Sequence, residues 1–186
     1  MTIQQRIRVP VGFAYAALFL YFSRPTPPWF LSGIALGALG LCLRIWATGH
    51  LEKWSGLAVS GPYRYTRNPL YLGSFVMGLG ITLAGGVLWL AALYLGVFFF
   101  LYQSVMRREE QELLQAYAAQ ARDYLQSTPL FWPWRKGSSA VGSQFKQQDQ
   151  SFLWRRVYRN REYNAVIGFV ILAAVIFIKM QWQGAN

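Results

Sequence analysis

Cysteine and histidine are almost absent: the 186-residue chain has Cys42 and His50 and no other residue of either type. A lone thiol cannot close a disulfide within the chain, and one thiol with one imidazole is too few ligands for a structural zinc site. The chain also lacks a Gly-x-Ser-x-Gly elbow, a P-loop and a strand-helix dinucleotide fingerprint. These absences set aside serine-nucleophile, metal and phosphate-cradle readings. Charge is scarce too, at 13% of residues, with 7 acidic against 18 basic side chains. With 54% hydrophobic residues and a mean hydropathy of +0.23, the composition lies outside the soluble globular range.

What is present is apolar sequence in five runs: Val9 to Phe22, Trp29 to Thr48, Leu70 to Ala84, Val87 to Met106 and Ala165 to Ile178. The expected fold is an all-α membrane protein of about five transmembrane helices. The second and fourth runs approach the ~20 residues that cross ~30 Å of hydrocarbon. The others are shorter and rely on flanking aromatic and basic residues. The first run has no small-residue cleavage site and leads into Pro25, Pro27 and Pro28, so it reads as a retained helix. Only Gly85 and Gly86 separate the third and fourth runs, which predicts a tight antiparallel hairpin.

Five crossings can be oriented by their loop charges. With a cytoplasmic N-terminus, only Arg24 and Lys179 fall on the outer side, and all seven acidic residues fall on the inner side. The net charge of +11 is then positive-inside bias rather than a nucleic-acid surface. Polar chemistry is expected at the cytoplasmic face.

Two stretches carry that chemistry. In "SGPYRYTRNPLYLG", Ser60 to Gly73, Gly61-Pro62 signals a turn, and Pro69 fits the first turn of the third apolar helix. Arg64, Arg67, Tyr63, Tyr65 and Tyr71 surround a helix start, a place suited to a carboxylate or phosphate. An interfacial belt of Tyr and Arg has the same composition. In the second stretch, helical periodicity runs past the fourth span through Leu113, Leu114, Tyr117, Tyr124 and Leu125 to Thr128-Pro129, carrying Glu109 and Glu110 beyond the membrane. The hairpin brings the two stretches together at one cytoplasmic opening. Because the two glutamates diverge by about 100° on a helix, only one of them is expected to face the pocket.

Arg67-Asn68-Pro69-Leu70-Tyr71-Leu72-Gly73, then Glu109-Glu110-x-x-Leu113, then Tyr117, Tyr124 and Pro129, resembles the C-terminal core of the isoprenylcysteine carboxyl methyltransferases. The phospholipid N-methyltransferases share this core. The resemblance runs from Ser60 to about Pro133, with looser similarity through "LRIWATGHLEK" upstream. Asn68 stands where the family usually has His, Ala118 where it has Gly, and Ala121 where a Tyr is common. Asn68 can hydrogen-bond but cannot act as an acid or base near neutral pH.

The resemblance implies an integral-membrane methyltransferase using S-adenosylmethionine, its cofactor site at the cytoplasmic end of the hairpin. It places Tyr63, Arg67, Asn68, Tyr71, Leu72, Gly73, Glu109, Glu110 and Tyr124 around the cofactor, with Arg67 and Glu110 closest to catalysis. Arg44 and Arg64 are assigned to the acceptor, and Arg44 could pair with Glu109 instead. The acceptor is a lipophilic or lipidated molecule reaching the site from the bilayer. O-methylation of a carboxylate is the first reading and N-methylation of a lipid amine the alternative. Two readings of another class remain: a nicotinamide-dependent reductase of membrane lipids, and a non-enzymatic membrane protein whose polar clusters anchor helices.

The expected organisation is a methyltransferase core over 1–134, a polar linker over 135–151, and an interfacial basic segment with a final transmembrane helix over 152–186. The linker is Gly, Ser and Gln rich, and the segment after it interleaves aromatics with Arg155, Arg156, Arg159 and Arg161.

Overall fold

A computed structural model describes residues 3–51, 58–133 and 151–185, with the side chains of 10–51, 58–117, 121–133 and 151–185. The described residues are all helical, without strands. In order they form α1 (Ile3–Phe22), α2 (Pro27–His50), a 3-10 turn (Gly61–Arg64), α3 (Pro69–Ala84), α4 (Leu88–Ser127), α5 (Trp154–Arg159) and α6 (Tyr163–Gly184). The linker expected at 135–151 lies outside the described residues except for Ser151.

Among the described residues three helices are long and apolar enough to cross a membrane: α2, residues Leu88–Tyr117 of α4, and α6; α3 and Pro10–Phe22 of α1 are shorter apolar helices. The final helix differs from expectation. Its apolar run stops at Ile178, but the helix extends to Gly184. Lys179 does not end it, because its ammonium reaches back to the carbonyls of Leu20 and Tyr21 and to Ser23 Oγ.

The chain divides into two compact units. The first comprises Met1–Leu41, Ser74–Val105 and Ala165–Asn186. Its core is Phe19, Ile81, Ala84, Leu90, Phe169 and Ile176, and Tyr15 Oη is 2.8 Å from Thr82 Oγ1. Helices α2 and α3 meet backbone to backbone here, since a Cβ on Gly33 or Gly80 would run into main-chain atoms of the facing helix. The α3–α4 connection is as tight as the sequence predicts. Gly86 takes φ +71°, which glycine adopts without strain, and its open side lies against the Arg24 carbonyl. The Gly85 carbonyl accepts the Arg24 N–H at 2.7 Å. Outward-facing Ile167, Val170, Ile171 and Ile178 on α6 are exposed, as a surface facing lipid requires.

The second unit comprises Cys42–Gly73 and Met106–Asn164. It contains the end of α2, the 3-10 turn, the start of α3 and the polar end of α4. Helix α4 is continuous over 40 residues, about 60 Å at the usual rise. Helix α5 is a single short helix. Its Trp154 and Tyr158 are exposed while Arg156 turns inward, donating to the Ser151 carbonyl at 2.8 Å and the Gly49 carbonyl at 3.4 Å. The Gly49 carbonyl at the C-terminal end of α2 thus receives a cation, which suits the helix dipole.

Candidate functional site

The site begins with the turn at Gly61, whose φ of +56° and proximity to the His50 ring leave no room for a side chain. His50 is structural: its Nδ1 is 3.0 Å from the Trp46 carbonyl, and its ring packs against Trp46 and Phe152. The turn buries Pro62 and Tyr63 and leaves Arg64 and Tyr65 exposed.

Beyond it, residues 66–68 are laced to 128–130. The Arg67 N–H donates to the Pro129 carbonyl at 3.0 Å, and Asn68 Nδ2 donates to the Leu130 carbonyl at 3.0 Å. Asn68 therefore fastens the segment after α4, a task that needs a neutral donor and no proton transfer.

Arg67 works in the same place. Its Nε donates to the Thr128 carbonyl at 2.6 Å, Nη1 to Glu110 Oε1 at 2.7 Å, and Nη2 to the Leu125 carbonyl. One guanidinium thus caps the last turn of α4 and holds a carboxylate from the same helix. Beside it, Tyr71 Oη donates to Glu109 Oε1 at 2.6 Å.

These groups wall a cavity of about 670 Å³, within the size range of small-molecule sites. Arg44, Tyr63, Arg67, Asn68 and Tyr71 line it from the α2, turn and α3 side. Glu109, Glu110, Leu113 and Tyr124 line it from α4. Both glutamates face it, where one was expected: the 100° between them is spanned because Tyr71 draws Glu109 to one side and Arg67 draws Glu110 to the other. Of the other expected residues, Leu72 and Gly73 are buried and Arg64 is exposed, and none of the three lines the cavity.

Arg44 pairs with Glu162 rather than with Glu109. Its Nε donates to Glu162 Oε1 at 2.5 Å, and Thr48 Oγ1 lies 3.3 Å from Glu162 Oε2. Sequence reasoning did not single out Glu162. The available signal was that it is the one acidic residue after Asp149. Among the described residues no Lys or Arg is within salt-bridge distance of Glu109. No group of three His, Cys, Asp or Glu there could hold a metal ion.

Two buried phenols complete the wall. Tyr124 Oη donates to the Tyr63 carbonyl at 2.9 Å, whereas Tyr63 Oη has no hydrogen-bond partner among the described residues. Burial raises the pKa of both, and the carboxylates of Glu109 and Glu162 push Tyr63 further in the same direction. Both are neutral at any physiological pH.

Residues 29–120 match the phospholipid methyltransferase family. The cobalt-zinc-cadmium resistance protein CzcN of Cupriavidus metallidurans is 32% identical over 133 residues, covering 68% of this chain and 61% of its own. The nickel-cobalt-cadmium resistance protein NccN of Alcaligenes xylosoxydans xylosoxydans is 30% identical over 133 residues, covering 68% and 62%. The chain therefore spans about three fifths of the length of these relatives. No solved structure matches it.

Proposed function

Because residues 29–120 belong to the phospholipid methyltransferase family, we propose that this membrane protein transfers a methyl group from S-adenosylmethionine to a lipid-like acceptor. The observation that supports this reading is the meeting of the two motifs in one cavity, Arg67 with Glu110 and Tyr71 with Glu109. The donor set suits the cofactor. Glu110, held by Arg67, can receive an ammonium or ribose hydroxyl, and the cavity is large enough for a nucleoside ligand. When bound, S-adenosylmethionine supplies an electrophilic methyl on a sulfonium.

The chain's own residues hold and orient. Arg67 keeps Glu110 facing the cavity, and Tyr71 does the same for Glu109. Tyr63, Asn68 and Tyr124 shape the wall. Arg44 contributes on the acceptor side, and the exposed Arg64, with Leu72 and Gly73 behind the wall, supports rather than contacts. The apolar lining, including Leu113 and Leu125, excludes water.

For the acceptor, a carboxylate oxygen is the reading implied by resemblance to the isoprenylcysteine enzymes, and it needs no base. The second reading is a lipid amine, and Glu109 favours it: an uncompensated carboxylate repels an anionic acceptor but can take a proton from an amine. Our reading further includes five crossings, with α1 and α3 as the shorter ones, a cytoplasmic N-terminus and site, and a core over 1–134 followed by a linker and anchor helix.

Calorimetric titration of the detergent-purified protein with S-adenosylmethionine, S-adenosylhomocysteine and NADPH tests this. Saturable binding of the first two, weakened by Glu110→Gln, is the expected result. Binding of NADPH alone would replace the proposal with a reductase, and binding of none by folded protein would replace it with a structural role.

A further inference from the structure

Tyr63 is 6% exposed, lines the cavity, and has a hydroxyl without a hydrogen-bond partner among the described residues. A buried hydroxyl left unpaired costs ~1–3 kcal/mol, so such groups call for an explanation in function. Its position is fixed by the backbone: the Tyr63 N–H donates to the Ser60 carbonyl at 3.1 Å, and the Tyr63 carbonyl receives Tyr124 Oη at 2.9 Å.

The surroundings of the phenol distinguish one end of the cavity from the other. Tyr124 feels the charge of Arg67, whereas the carboxylates acting on Tyr63 are Glu109 and Glu162. Glu162 is paired with Arg44 at 2.5 Å, whereas Glu109 is bonded to the neutral Tyr71 hydroxyl and has no cationic partner among the described residues. Burial raises the pKa of Glu109, as expected for a carboxyl group shielded from water without a cation. This end is built from α2, the 3-10 turn and the residue before α6, and is closed by Tyr71 of α3 with Glu109 of α4.

We propose that the Tyr63 hydroxyl is a positioning contact for the acceptor, its oxygen accepting one N–H of an amine head while Glu109 accepts another. This rests on the methyl-transfer reading for the identity of the second ligand. Two N–H bonds held in this way leave the nitrogen lone pair as the group free to point toward the methyl donor. Glu162, by holding Arg44 in the wall, cancels a charge that would otherwise compete with Glu109 for the amine. A carboxylate head meets the opposite conditions, since it would face Glu109 without a cation of its own.

The test uses the full chain in a neutral detergent, titrated separately with dodecylamine, dodecanoate and S-adenosylhomocysteine, as wild type, Tyr63→Phe, Glu109→Gln and the double variant. Tyr63→Phe is expected to weaken dodecylamine about tenfold, to leave S-adenosylhomocysteine within about twofold, and not to lower Tm, because no hydrogen bond within the protein is lost. The double variant should weaken dodecylamine less than the two single effects combined, because both groups hold one nitrogen.

A lowered Tm with unchanged dodecylamine affinity would assign the hydroxyl to folding and overturn the proposal. It is equally overturned if S-adenosylhomocysteine is the ligand weakened, if dodecanoate binds tighter than dodecylamine, or if dodecylamine does not bind. Tyr63-dependent binding of dodecylamine by a wild type that ignores S-adenosylhomocysteine would support the subsite while removing the methyltransferase reading.

Discussion

Arg67 Nη1 and Glu110 Oε1 lie 2.7 Å apart, and the same guanidinium donates to the carbonyls of Thr128 and Leu125 at the end of the helix that carries Glu110. The pair is mostly shielded, at 14% and 31% side-chain exposure. Arg67 is thus both a helix cap and a carboxylate holder.

Arg67→Ala should therefore cost about 1–3 kcal/mol of stability, since it strands a carboxylate and two carbonyls together. Glu110→Gln keeps the cap and should cost less than about 1 kcal/mol while weakening S-adenosylhomocysteine at least as much. Thermal unfolding in detergent alongside calorimetry separates the two effects. Equal loss of stability in both variants would contradict the double role.

Gly86→Ala places a Cβ at φ +71° against the Arg24 carbonyl. A loss of about 1–2 kcal/mol is expected from backbone strain, with further loss from the contact. Ligand affinity of the folded fraction should be unchanged, because the hairpin turn is at the other end of α3 and α4 from the cavity residues. A Tm equal to wild type would show that the turn is not held in this conformation.

Glu162→Leu removes the carboxylate paired with Arg44, whose side chain is 22% exposed. The expected cost is about 1–3 kcal/mol for breaking a largely buried ion pair. Arg44→Met combined with Glu162→Leu should recover part of it, since removing both charges also removes their desolvation. Failure of the double variant to exceed the single one in Tm would argue that the pair is not coupled.

Stability should fall at alkaline pH. The phenols of Tyr63 and Tyr124 have folded pKa values raised above the ordinary 10.0 by burial. Their contribution is fully present below the unfolded value, and it declines as pH rises from there toward the folded value, because the unfolded chain releases protons that the folded one retains. Each adds a slope of up to ~1.4 kcal/mol per pH unit. Tyr63→Phe and Tyr124→Phe should each flatten the decline, measured as Tm against pH. An unchanged slope in both would mean that the phenols are hydrated.

The meeting of Arg67 with Glu110 was legible because two glycines between apolar runs force an antiparallel return, and helical periodicity carries α4 beyond the membrane. The capping of α4 by Arg67 was not, since backbone carbonyl acceptors leave no trace in residue identity. Arg44 was recognised as an ionisable residue in an apolar helix, but its partner lies 118 positions away beyond a polar stretch without apolar period. Only its isolation as an acidic residue among arginines marked Glu162. The length of α6 was underestimated because an apolar run ends at its first charge, whereas a lysine that can reach carbonyl oxygens does not end a helix.

The lacing of Thr66 and Asn68 to Leu130 has a consequence for biosynthesis. The Thr66 hydroxyl donates to a carbonyl 64 residues downstream, and everything between the two ends is the α3–α4 hairpin and its polar extension. A nascent chain can thread the first helices into the bilayer as they leave the ribosome. It cannot close this clasp until residue 130 has emerged, and the Arg44 side of the cavity waits for Glu162. Ligand-binding competence should therefore arise late and in two steps during translation, well after membrane insertion has begun.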